Sequence, residues 1–160
     1  TLKQLKDTAH RVGLNLDLGD DRLGYMDLLF SHFVEPLLGF DAPVFLTDFP
    51  PDVASLAKVK QVADGEWVAA RFEVYIEGLE LANAYDELLD AEVLASRFEA
   101  DNKERAKQGL PVIPTDQHLL AALPNMPECS GIALGIDRLL MVAQNQMKLE
   151  KVVSFTADVS

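Results

Sequence analysis

The chain has 160 residues, 49% of them hydrophobic and 25% charged, which is enough for one domain with a real core. Its formal net charge of −12 gives no support for a nucleic-acid-binding surface. A lone Cys129 excludes an internal disulfide and a thiol-only zinc site, and no apolar run approaches the roughly 18 residues of a membrane span, so a reducing, cytoplasmic setting is expected.

In chain order, residues 2–12 read as a short helix with Leu2, Leu5 and Ala9 on one side. The stretch GDDRLGYMDLLFSHFVEPLLG predicts a stronger helix: Tyr25, Leu28, Leu29, Val34 and Leu37 recur at helical spacing, and Asp20 or Asp21 can cap its start. APVFLTDFPPD predicts a short buried strand stopped by Pro50 and Pro51. Residues 67–76 alternate like a strand, residues 79–83 make a second one, and Glu77-Gly78 between them suits a two-residue hairpin turn. DAEVLASRFEADNKERAKQG predicts an amphipathic helix ending at Gly109, with Pro111 just beyond. Thr115 is placed as the cap of a helix over 116–122. CSGIALG reads as a buried strand, and IDRLLMVAQNQ as the helix after it, with Ile136, Leu139, Leu140 and Ala143 on its core face. Helices grouped around antiparallel strands give an α+β class, an antiparallel sheet flanked by helices. The sequence opens without a signal peptide or an initiating Met, which points to a fragment or a processed chain.

The most strand-like stretch, RFEVYIEGLELANAYDEL, is also rich in acids. If Ile76 faces Leu79 across the turn, one sheet face holds Phe72, Val74, Ile76, Leu79 and Leu81, and this is the expected core. The other holds Glu73, Tyr75, Glu80 and Ala82. Glu73 and Glu80 are then diagonal neighbours, about 7–8 Å apart at the backbone. Two carboxylates converging on one face repel unless a cation, a proton or a basic side chain lies between them. Mg²⁺ suits such a pair, because it favours one or two carboxylates plus substrate phosphates. A plain solvated face, with Arg71 neutralising Glu73, accounts for the same spacing. Asn83, Tyr85 and Glu87 share a parity with each other and not with Glu80, so a bulge or the strand end would have to re-aim them.

In SGIALGIDRLLMVAQ, Gly131 and Gly135 bracket a short apolar strand that leads into a helix. Arg138 near that helix's N-terminus is disfavoured by the dipole, and an anion in front of it would reverse the penalty. Gly135 would let such an anion, or a flat ring, approach the backbone. A strand-to-helix turn with a solvated Arg is the simpler alternative.

GIALGIDR resembles the third signature motif of class II aminoacyl-tRNA synthetases, and RFEVYIEGLELANAYDEL resembles the segment before it in lysyl-tRNA synthetases. RFEADNKERAKQGLP and MPECSGIALGIDRLLM are more similar still to the elongation factor P lysyltransferase branch of that family. That branch activates a lysine-type amino acid with ATP and transfers it to a lysine of elongation factor P instead of to tRNA. The resemblance covers nearly the whole chain. It implies that Glu73 and Glu80 hold Mg²⁺ on the ATP phosphates, that Leu81 lines the ATP pocket, that Gly135 lies under the adenine and that Arg138 meets the γ-phosphate. It implies that Asn83, Tyr85 and Glu87 line the amino-acid pocket, with Glu87 pairing the side-chain ammonium.

There are departures. The usual ANGF is ANAY here, at Ala84 and Tyr85. Ala133 stands where lysyl-tRNA synthetases usually carry Gly, and its methyl should reshape the amino-acid pocket; the lysyltransferase branch also has Ala there. Neither the first class II motif, used for dimer contact, nor the second, with its α-phosphate Arg, is found, nor any segment resembling an anticodon-binding domain. Residues 1–160 are therefore expected to be the C-terminal portion of a class II synthetase-like catalytic domain. The resemblance implies ATP and Mg²⁺ as cofactors, lysine or β-lysine as substrate, elongation factor P as acceptor, and a homodimer in the full-length protein. Alternatives are a truncated lysyl-tRNA synthetase acting on tRNA-Lys, and a non-catalytic amino-acid- or nucleotide-binding remnant. This chain alone is expected to be inactive.

Overall fold

Glu77 and Gly78 both take left-handed conformations (φ 51° and 74°) in the computed structural model, which describes residues 1–156. A type I′ hairpin turn needs positive φ at both central positions. The turn joins β3 (Trp67–Ile76), as the alternation predicts, to β4 (Leu79–Asp86), which runs three residues past the expected end at Asn83. With β1 (Val44–Phe49) and β5 (Ser130–Leu134) these form one sheet in the order β1-β3-β4-β5, while β2 (Val59–Gln61) pairs with β3. β2 lies antiparallel, with Val59 opposite Ala69 and Gln61 opposite Trp67. Its three residues are too few for a period to show in the sequence.

Edge position corrects two expectations. β1 and β5 were expected to be buried, yet Phe45 is 62% exposed and Ile132 62% exposed. A strand at the end of the sheet has a neighbour on one side only, and its apolar residues stay open.

The chain divides into two compact units, each made of separate stretches. One holds Thr1–Leu46, Glu73–Asn83 and the chain from Leu134 onward; the other holds Thr47–Phe72 and Ala84–Ala133.

In the first unit, α1 (Leu2–Arg11) opens on a capping box between Thr1 and Gln4. α2 (Arg22–Phe33) is capped by Asp21, which accepts from Gly24 N at 2.9 Å. The helix was expected to reach Leu37. It stops at Phe33 and continues only as a single 3-10 turn, Glu35–Leu37, because Pro36 has no N–H and its ring clashes with the preceding turn of an α-helix. Tyr25 is buried, and its hydroxyl accepts from Leu18 N (3.1 Å) and donates to Leu16 O (3.2 Å).

The expected core face of the hairpin is also corrected. Phe72, Val74, Ile76 and Leu79 are half-buried, whereas Glu73, Tyr75 and Ala82 are buried along with Leu81. The cause is α2, whose Phe30 packs edge-on against the Tyr75 ring, 6.3 Å between centroids, and covers the acid-bearing face. In α5 (Ile136–Ala143) the inward residue is Met141, while Ile136, Leu139, Leu140 and Ala143, expected on the core face, are exposed.

The same unit fixes the hairpin tip. Gly78 N and Glu77 N donate to Leu38 O and Gly39 O at 2.8 and 3.0 Å. Gly39 has φ 82°, and a β-carbon there would lie 2.5 Å from Tyr75 O and 2.7 Å from Ile76 Cα. Backbone cannot swing aside as a side-chain tip can. Gly39→Ala is expected to destabilise the fold by about 1–3 kcal/mol. Urea unfolding measures this, and an unchanged midpoint would mean the tip is not fixed as described.

In the second unit, α3 (Ala91–Lys107) starts at Asp90, which accepts from Glu92 N and Val93 N, and ends before Gly109 at φ 71°. α4 (Gln117–Ala122) is capped by Asp116 rather than Thr115: Asp116 Oδ1 accepts from Leu119 N at 3.0 Å. Arg97 of α3 donates to Ser55 O (2.5 Å) and Ala57 O (2.8 Å), tying the helix to the segment before β2. Ala54, Ala57, Val68, Ala69, Ala84, Leu94 and Leu123 are its buried apolar residues.

Candidate functional site

The buried carboxylate of Glu73 is the focus of the first unit. It is 9% exposed, and a buried charge needs partners. Tyr75, two residues on and so on the same face, donates its hydroxyl to Glu73 Oε2 at 2.7 Å. Asn83 Nδ2 donates to Glu73 Oε1 at 3.4 Å. Simple alternation put Asn83 on the opposite face, so β4 does re-aim it. The other end of that amide is unusual: Asn83 Oδ1 is buried with no donor among the described residues. A buried acceptor without a partner costs about 1–3 kcal/mol, and a ligand N–H would satisfy it.

Burial raises the Tyr75 hydroxyl above the ordinary phenol range; the hydrogen bond to Glu73 adds to this, then the charges of Glu73, Glu35 and Glu80. The raised folded value means this contribution to stability is intact below the unfolded pKa near 10.0 and is lost as pH climbs through the folded value. In an ultraviolet difference titration, the Tyr75 hydroxyl is expected to resist ionisation until the protein unfolds in alkali. The late-ionising amplitude should fall by one tyrosine in Tyr75→Phe; an unchanged amplitude would mean that Tyr75 is not a resistant group.

Glu80 and Arg138 meet. Arg138 Nη1 donates to Glu80 O at 2.6 Å and lies 3.7 Å from Glu80 Oε2. The cation that sits badly at a helix N-terminus is therefore offset by the Glu80 carbonyl and carboxylate. Gly135 N donates to Leu81 O at 2.8 Å, which anchors the strand-to-helix turn on β4. Gly135 is the N-cap of α5 and offers no side-chain cap, which leaves first-turn N–H groups without a capping side chain. Its φ is −74°, and an added β-carbon would meet nothing closer than 3.5 Å. Nothing among the described residues demands glycine there.

Tyr85, Glu87 and Ala133 belong to the second unit. Glu87 is pinned through its backbone: its N donates to Cys129 O at 3.1 Å, and it bridges Ala57. On either side Lys58 N donates to Asp86 O (2.8 Å) and Leu88 N to Leu56 O (2.9 Å). Lys58 Nζ reaches Glu128 at 2.5 Å and Asp86 at 3.0 Å, and these two carboxylates hold its pKa above the usual lysine value. The ring of Tyr85 lies 5.4 Å from the Arg71 guanidinium, which also stacks at 4.4 Å over Phe49 and donates to Val53 O at 3.0 Å. Ala133 is exposed on β5.

Sequence reasoning missed two supports: the Tyr75 hydroxyl on Glu73, and the Phe49–Arg71–Tyr85 stack. The i, i+2 spacing of Glu73 and Tyr75 carried a signal for the first. The second joins three strands, and no local pattern announces it.

Among the described residues no group of three or more His, Cys, Asp and Glu side chains is arranged to hold a metal. A cation at Glu73 and Glu80 would therefore rest on two carboxylates and draw its other ligands from water and a substrate. That donor set fits Mg²⁺ rather than a metal needing an all-protein cage. Among the described residues no helix is long and apolar enough to cross a membrane.

Residues 35–159 match the family described as tRNA synthetases class II (D, K and N). The chain is 46% identical over 159 residues to the elongation factor P–(R)-β-lysine ligase of Pectobacterium atrosepticum, a match covering 97% of this chain and 48% of that protein. It is 44% identical over 160 residues to the protein of the same name from Yersinia pestis, covering 98% and 49%. The chain thus spans about half the length of the curated relatives it matches.

Proposed function

Because this chain belongs to the class II tRNA synthetase family (D, K and N), we propose that it is the part of an ATP-dependent ligase that carries the third signature motif, and that the full-length protein attaches lysine or β-lysine to elongation factor P. The names of the relatives support the substrate and the acceptor. The Glu80–Arg138 pair beside the uncapped start of α5 is the structural observation that most directly supports ATP chemistry. It sets a cation and a row of N–H groups where a polyphosphate would gain from both.

The reaction has two steps. A carboxylate oxygen of the amino acid attacks the α-phosphorus of ATP, forming the aminoacyl-adenylate and releasing pyrophosphate. The ε-amine of a lysine on elongation factor P then attacks the acyl carbon and AMP leaves. Arg138 meets the γ-phosphate and neutralises charge there. Leu81 and Gly135 hold the adenine, and a missing β-carbon at Gly135 leaves room for a flat ring. Mg²⁺ held by Glu73 and Glu80 supplies positive charge to the phosphates when bound. Asn83 offers its vacant Oδ1 to an N–H of the amino acid, Glu87 pairs the side-chain ammonium, and Tyr85 and Ala133 shape the pocket. A cytoplasmic homodimer is part of this reading.

The test incubates the full-length protein with Mg-ATP, lysine or (R)-β-lysine, and either elongation factor P or tRNA-Lys. The expected result is a mass gain on elongation factor P alone. Charging of tRNA-Lys alone would replace this reading with a lysyl-tRNA synthetase, and transfer to neither would favour a binding remnant.

A further inference from the structure

We infer that Gly131 is a positioning residue: by lacking a β-carbon it sets where the Glu87 carboxylate lies, and so how the pocket receives the side-chain ammonium. This rests on the reading of Glu87 as the acid that meets that ammonium. Gly131 lies on β5, next to β4 in the sheet, and its φ is outside the left-handed region, so its backbone shape does not call for glycine. What calls for glycine is space. A β-carbon built there falls well inside contact distance of Glu87 Oε1 and lies 3.4 Å from Glu87 Cδ and 3.9 Å from Cγ. All three nearest atoms belong to the one side chain; no backbone atom is among them.

Something must move when a methyl is added, and the choice is narrow. The Glu87 backbone is held by Cys129 O and by the Ala57 bridge, and its neighbours are held by Leu56 and Lys58. The root of the side chain is fixed, so only its torsions can give. Gly135, four residues on, is different: its nearest contacts would be 3.5–3.6 Å, and they involve Arg138 and Leu81 O. The two glycines of the motif thus serve different ends. Gly131 makes room for the Glu87 side chain, whereas a β-carbon at Gly135 would make only ordinary van der Waals contacts.

Calorimetric titration of the full-length protein with lysine, (R)-β-lysine and Mg-ATP tests this on Gly131→Ala, Glu87→Gln, Glu87→Asp and the double variant Gly131→Ala/Glu87→Asp. Gly131→Ala is expected to raise Kd for the preferred amino acid about tenfold and to leave Mg-ATP within about twofold, since a charge-assisted contact is misaligned rather than deleted. Asp is one methylene shorter and clears the added methyl, so it should weaken binding less in the Gly131→Ala background than alone. Strictly additive losses would overturn the proposal, as would equal losses for both ligands or a fall in Tm large enough to account for them. If Glu87→Gln weakens the amino acid but Gly131→Ala does not, the Gly131 proposal falls and the Glu87 reading stands. If Glu87→Gln changes nothing, both fall.

Discussion

Arg138→Ala in the full-length protein is expected to slow amino-acid activation about 10²–10³-fold, the usual cost of removing one preorganised charge-stabilising contact. Stability should hardly change. The Arg138 side chain is 52% exposed and its ion pair with Glu80 spans 3.7 Å, the class of surface pair worth about 0–1 kcal/mol. Losing it relieves Glu80 of a partner but leaves that carboxylate in contact with water, at 31% exposure. On the proposed reading, the large term appears only when negative charge develops on phosphates bound in front of α5. Arg138→Lys separates charge from shape: it keeps the cation and loses the planar fork, and an intermediate rate is expected. Lysine-dependent ATP–pyrophosphate exchange, measured beside a thermal melt, reads both quantities. Exchange within a few-fold of the parent, or a melt that falls in step with the rate, would remove Arg138 from the phosphate.

The hairpin and the glycine motif were legible because their signals are local. A two-residue turn has a restricted chemistry, and Glu77-Gly78 carries enough of it to set the strand ends at Ile76 and Leu79. Asp21, Asp90 and Gly109 likewise act within one helical turn of themselves. Which face of the hairpin is buried was not legible, since that is decided by α2, some forty residues earlier in the chain, through Phe30 on Tyr75. Polarity alone argued the other way, because Glu73 reads as a solvent residue until the Tyr75 hydroxyl and the Asn83 amide are seen on it. The same limit applies to β1 and β5. Apolar sequence marks a strand, but only the sheet order tells that it lies at an edge. Residue types pointed to phosphate and cation chemistry, while the partners of charged side chains come from distant parts of the chain. Arg138 on Glu80 is 58 positions apart in sequence, and Lys58 on Glu128 is 70.

Glu87→Gln and Glu80→Gln are expected to produce opposite losses. A carboxylate meeting an ammonium in a partly dry pocket makes a charge-assisted hydrogen bond worth roughly 1.5–3 kcal/mol, or about 10–150-fold in Kd. Gln at position 87 keeps the size and one acceptor oxygen but loses the charge, so lysine should weaken by that amount while Mg-ATP is spared. The backbone there is fixed by Cys129 O and the Ala57 bridge, so the change is confined to the side-chain tip. Gln at position 80 removes one of the two carboxylates proposed to hold Mg²⁺ and leaves Arg138 with the Glu80 backbone carbonyl but without the Glu80 charge. Mg-ATP should weaken, more steeply at low Mg²⁺, and lysine binding without nucleotide should hold. Calorimetric titration of each variant with lysine alone and with Mg-ATP alone gives four numbers, and the crossed pattern is the result to look for. Equal losses for both ligands in Glu87→Gln would make that residue structural. An unchanged Mg²⁺ dependence in Glu80→Gln would leave Glu73, already held by Tyr75 and Asn83, without a partner for the cation, and the two-carboxylate site would have to be abandoned.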